Sequence, residues 1–69
     1  MRDINRLDNL YNGLREMHKQ LPDWRFCQLM MNFMEWYYQK YKSDCFYLED
    51  YKVLKVFREF IDEIGIKYI

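Results

Sequence analysis

The sequence has little of what a β fold needs, with two glycines and one proline in 69 residues. Sandwiches and barrels of short strands call for a turn about every 8–12 residues, mostly built on those two residue types. Histidine is as scarce, with one copy, and the two cysteines, Cys27 and Cys45, stand far apart. A structural zinc site draws four ligands from tight local spacings, which His18, Cys27 and Cys45 cannot supply. Eleven Lys and Arg balance eleven Asp and Glu, so no net field draws the chain to nucleic acid or anionic lipid. No apolar run approaches the roughly 18 residues of a membrane span. The charged start, Met1-Arg2-Asp3-Ile4-Asn5-Arg6, has no apolar stretch behind it of the kind a secretory signal carries. The expectation is a cytoplasmic protein without membrane association, whose thiols stay reduced.

Catalytic signatures are missing too. There is no glycine-rich phosphate loop or dinucleotide fingerprint. The adjacent carboxylates Glu49-Asp50 and Asp62-Glu63 sit at a helix start and on a polar face. There they cap or meet solvent, whereas acid–base chemistry needs them convergent in a pocket. A helical domain this small leaves little volume for a pocket of about 300 Å³. The composition therefore predicts no enzyme, no metal and no cofactor.

What the chain does have is rings. Seven Tyr, five Phe and two Trp make 20% of it aromatic. Ordering costs about 1.5 kcal/mol per residue, which a small core struggles to offset. Aromatic side chains bury much area at low rotamer cost, and they also make the surfaces that partners bind.

Apolar periodicity predicts an all-α, compact three-helix domain spanning residues 1–69, with a short aromatic loop between the second and third helices. The first helix covers about 3–19, capped by Asp3, with Ile4, Leu7, Leu10, Tyr11, Leu14, Met17 and Leu21 in one stripe. Gly13 falls on its polar side and reads as a tolerated weak spot. Leu21-Pro22-Asp23 forms a joint, with Asp23 as the next cap. The second helix covers about 24–41, with Phe26, Leu29, Met30, Phe33, Met34, Tyr37 and Tyr41 on its main face. The third covers about 50–64, with Val53, Leu54, Phe57, Phe60, Ile61 and Ile64 inward and Gly65 as its C-terminal stop. Leu14, Phe33 and Phe57 lie at the centres of the three stripes and should be buried together.

Three motifs run in order: Arg2-Asp3 with Arg6-Leu7, then Pro22-Asp23-x-Arg25-Phe26-x-Gln28-Leu29-x-x-Asn32, then Asp44-x-Phe46-Tyr47-Leu48-Glu49-Asp50. In this the chain resembles a family of short bacterial and prophage proteins of unknown function. Members of that family read roughly R-D-P-x-R-I, W-x-x-x-P-D-L-R-x-G-Q-L-I-x-N and D-x-F-Y-x-E-D. The resemblance covers about residues 2–54, and departs at Asn5, Cys27 and Met17-His18. It implies a helical fold in a mobile-element setting and no particular activity. Within the motifs, Asp23, Arg25, Gln28, Glu49 and Asp50 read as structural, with Arg25 bridging to Glu49 or Asp50.

The apolar arc of the second helix is too wide for one neighbour. Met31 and Tyr38 flank its main face on one side and Trp36 on the other. With Tyr68 at the apolar tail, they form the expected interaction surface. The functional expectation is a non-enzymatic protein-interaction module of phage or prophage type that self-associates as a homodimer. Its specific version inhibits a host or defence protein. The alternative is a small DNA-binding transcriptional regulator, whose exposed strip on the second helix would be Gln28, Asn32, Glu35 and Gln39. That strip carries a carboxylate that repels phosphate, and the basic residues are scattered rather than clustered.

Overall fold

The computed structural model describes the backbone of residues 2–68 and the side chains of residues 2–64. Helix α1 spans Arg6–His18, α2 spans Phe26–Tyr41, a 3-10 turn covers Cys45–Tyr47, and α3 spans Asp50–Tyr68. Among the described residues there is no strand. The all-α, three-helix architecture with an aromatic joint between α2 and α3 is as the periodicity predicted.

The helix ends differ from expectation in instructive ways. Asp3 does not cap the first helix, whose N-cap position is Asn5 with no side-chain cap bond; it closes a turn ahead of it. Its Oδ1 accepts the Asn5 N–H at 2.9 Å and its carbonyl accepts the Arg6 N–H at 3.2 Å, so α1 begins at Arg6. Between α1 and α2 the chain descends in single turns. Gln20, Leu21 and Trp24 each donate to the carbonyl three residues back, at 3.0, 2.9 and 3.1 Å. His18 pins that joint, its Nε2–H donating to the Trp24 carbonyl at 2.7 Å. Trp24 therefore belongs to the joint, and α2 starts at Phe26.

Asp23 is not the cap of α2. The N-cap position is Arg25, and the Gln28 side chain reaches back to accept the Arg25 N–H at 2.8 Å. A glutamine three residues into a helix satisfies one orphan donor without needing a carboxylate upstream. At the other end, Lys42 adopts a left-handed conformation, φ 55°, ψ 34°, and stops α2 where glycine is the usual residue. Gly65 does not stop α3, which continues to Tyr68. An interior glycine weakens a helix by about 1 kcal/mol but does not end one.

The core is small: Met17, Leu29, Phe33, Val56, Phe57, Phe60 and Ile61. Phe33 stacks on Phe57 at 4.5 Å between centroids, and Phe60 meets both edge-on at 5.6 and 5.5 Å. Leu14, Leu21, Trp24, Leu48 and Leu54 pack partly buried around them. The expected Phe33–Phe57 contact is present; Leu14 sits at its margin, and Met17 and Val56 are buried in addition. The molecule measures 40 × 27 × 18 Å. Its short dimension is under two helix diameters, so each helix keeps a side that none of the described residues covers.

Gly13 is more than a weak spot. A Cβ built there would lie 2.7 Å from both Leu54 methyl carbons, so the missing side chain is what lets α1 approach α3 at that crossing. Alanine would gain up to about 1 kcal/mol of helix propensity but overpack the crossing by roughly 1–3 kcal/mol. Gly13→Ala should therefore lower stability by about 1 kcal/mol in the native chain. In a Leu54→Ala background the same change should raise it. Urea unfolding of the four variants measures the cycle, and a stabilising Gly13→Ala in the native chain would contradict the close approach.

Candidate functional site

On α2 the 3.6-residue period sorts the side chains into three sectors. Leu29 and Phe33 turn into the core, flanked by half-buried Met30, Trp36 and Tyr37. Gln28, Asn32, Glu35 and Gln39 make an exposed polar strip. Between the two runs a continuous apolar stripe: exposed Cys27, then Met31 at 69%, Met34 at 51%, Tyr38 at 57% and Tyr41 at 41% exposure. Met31 and Tyr38 are thus where the pattern put them. Met34 and Tyr41, assigned to the inward face, join them outside. Three helices in a layer two helices thick cannot wrap more than one side of α2.

Trp36, expected on the surface, turns to the edge of the core. Its ring lies 6.0 Å from Phe33 and 5.5 Å from Phe60, and its indole N–H donates to Glu63. The indole has an apolar body and one donor, so a core margin beside a carboxylate suits it. Tyr68's side chain and the expected packing of the apolar tail lie outside the described residues.

Two glutamates on α3 fasten α2 from outside. Glu63 also accepts from Lys40 Nζ at 2.8 Å, and Lys40 lies 5.1 Å from the Trp36 ring centroid. Glu59 accepts the Tyr41 hydroxyl at 2.7 Å. The hydrogen bond to Glu63 raises the Lys40 pKa, and the bond to Glu59 raises that of Tyr41. Both groups hold their protons more firmly in the folded chain than in the unfolded one. Their contribution is complete below the ordinary values near 10 and is lost as pH rises through the raised ones. Stability should therefore fall above about pH 10, and fall less steeply in Tyr41→Phe. A thermal-melt series from pH 8 to 11 tests this, and parallel curves for the two proteins would refute it.

A second surface forms where the first turn of α1, the 3-10 turn and the start of α3 meet. Phe46, Tyr47 and Tyr51 are 78, 84 and 79% exposed. Arg2 pairs with Glu49 at 3.2 Å, and Arg6 with Asp50 at 2.6 Å while also donating to the Asp3 carbonyl at 3.0 Å. These residues border a cleft of about 330 Å³ that Tyr51, Leu10 and Leu54 line on its apolar side. The surface thus has a depression of the size the sequence argued against, open at the joint of two helices. Glu49 is held by Arg2, just ahead of α1, and Asp50 by Arg6 at its start, not by Arg25, because α1 packs along α3 and brings the N-terminal segment there. Only Arg2-Asp3 and Arg6-Leu7 in the first motif signalled this. Arg6→Ala should cost about 1 kcal/mol and Arg25→Ala no more than about 0.5. Equal melting temperatures would remove the tie.

Burial, with Asp44 next to it, raises the pKa of the half-buried Cys45 thiol, while Cys27 is exposed. Among the described residues no group of three or more His, Cys, Asp or Glu is placed to hold a metal ion. None of the described helices is long and apolar enough to cross a membrane. The chain matches no protein-family model, and no curated protein or solved structure is detectably similar to it.

Proposed function

We propose that this protein is a non-enzymatic protein-interaction module that works as a homodimer in the cytoplasm. The Cys27–Tyr41 stripe of α2 carries the reading. A whole large side chain offers about 150–250 Å², so these exposures leave on the order of 500 Å² of mostly apolar surface in one patch. Patches of that size mark interaction sites. A standard interface takes about 800 Å² per partner, a little over half of it apolar, and the stripe supplies that share. A two-fold dimer covers such a patch with a copy of itself.

The aromatic end, with Phe46, Tyr47 and Tyr51, is the second half of the proposal. It lies off the stripe and pairs exposed rings with arginine, the residue types that dominate binding energy at interfaces. Together with the resemblance to short prophage proteins, it supports a module that docks on a host or defence protein and inhibits it. Sedimentation equilibrium at micromolar concentration should give a dimer. Met31→Glu or Tyr38→Glu should return it to monomer with the helical circular-dichroism spectrum intact. A monomeric native protein would overturn the homodimer, and salt-dependent binding to random duplex would favour a DNA-binding regulator instead.

A further inference from the structure

The pairing of α2 has a direction, and the stripe's own gradient sets it; the inference rests on the homodimer reading above. Cys27, Met31, Met34, Tyr38 and Tyr41 alternate steps of four and three, the a/d spacing by which two helices zip together. Side-chain bulk rises along the stripe, from a thiol through two thioethers to two phenols. In a parallel, in-register pair each residue meets its own copy. The layers would then widen from Cys27 on Cys27 to Tyr38 on Tyr38. Helix separation follows the side chains at the contact, so one end would stand open, and a gap of even an ångström forfeits a large part of the contact energy.

Reversing the second helix reverses its gradient. We propose that α2 pairs antiparallel with α2 of a second copy, Met31 against Met34 and Cys27 against Tyr38, each layer repeated by the two-fold axis. The smallest side chain then faces the largest, and two of middle size face each other at the centre. Tyr41 lies beyond the last layer, where Glu59 already holds its hydroxyl. Along the polar edge Gln28 comes beside Glu35 of the second copy, an amide next to a carboxylate, with no like charges opposed.

Disulfide trapping of the full-length chain tests the direction. With Cys45→Ser, Cys27 is the sole thiol. In the antiparallel pair its two copies sit about 16 Å apart along the axis, beyond the roughly 7 Å that a disulfide spans. Mild copper-phenanthroline oxidation should leave this variant uncrosslinked, and adding Tyr38→Cys should convert it to a covalent dimer. Should that change weaken pairing, Met31→Cys and Met34→Cys chains, both also Cys27→Ser and Cys45→Ser, should crosslink faster when mixed than alone, because like positions stand about 4.5 Å out of step along the axis. A covalent dimer through Cys27 alone, or Met31→Cys and Met34→Cys chains that each link faster alone than mixed, means parallel pairing and overturns the proposal. No crosslink in any variant that sediments as a dimer overturns the register. Sedimentation of the Cys45→Ser protein as a monomer overturns the homodimer itself.

Discussion

Phe33 from α2 and Phe57 and Phe60 from α3 meet as a ring cluster, and the other elements are placed to keep water from it. Phe57 and Phe60 are, with Leu29, the largest fully buried side chains. Met17 closes the cluster from α1 and Leu29 from the start of α2. Trp24 comes in edge-on to Phe60 at 6.5 Å, which requires the α1–α2 joint to fold over the core. The His18 bond to the Trp24 carbonyl holds it there. Removing any of the three rings would leave a cavity at about 3–5 kcal/mol, comparable with the whole stability of a small domain.

Polar groups close the rim of this core in a consistent way. Arg6 and Asp50 join the beginnings of α1 and α3, while Glu59 and Glu63 bind Tyr41, Trp36 and Lys40 across the later turns of α2 and α3. Each contact is solvent-touched and modest by itself. Together they set the lateral position of helices whose apolar overlap is short. The same arrangement covers the middle of α2's inward side but leaves Phe26, at its start, exposed along with the outer stripe.

The fold was legible because it rests on local periodicity. The stripes through Phe33 and through Phe57, Phe60 and Ile61 repeat at helical spacing, and the single proline marks the first joint. What stayed hidden depends on which helix lies beside which. Gly13 looks like a polar-face glycine until Leu54 is placed against it. Glu49 and Asp50 could take any nearby arginine, and only the packing of α1 along α3 selects Arg2 and Arg6 over Arg25. On the exposed stripe of α2, Met31 and Tyr38 could be read from their angle alone. Trp36 lies as far from the main face, but on the side where α3 supplies the Phe60 ring and the Glu63 carboxylate. Helical angle gives a side chain's direction and says nothing of the neighbour.

Lys42 closes α2 in a left-handed turn immediately after Tyr41, so the helix has sixteen residues and a length of about 24 Å. Two heptads are all the seam it can ever present. A seam that short sets a ceiling on affinity, and occupancy of the proposed dimer then follows mass action. The balance of single and paired chains would answer to how much of the protein the cell has made, and dilution on its own would uncouple it.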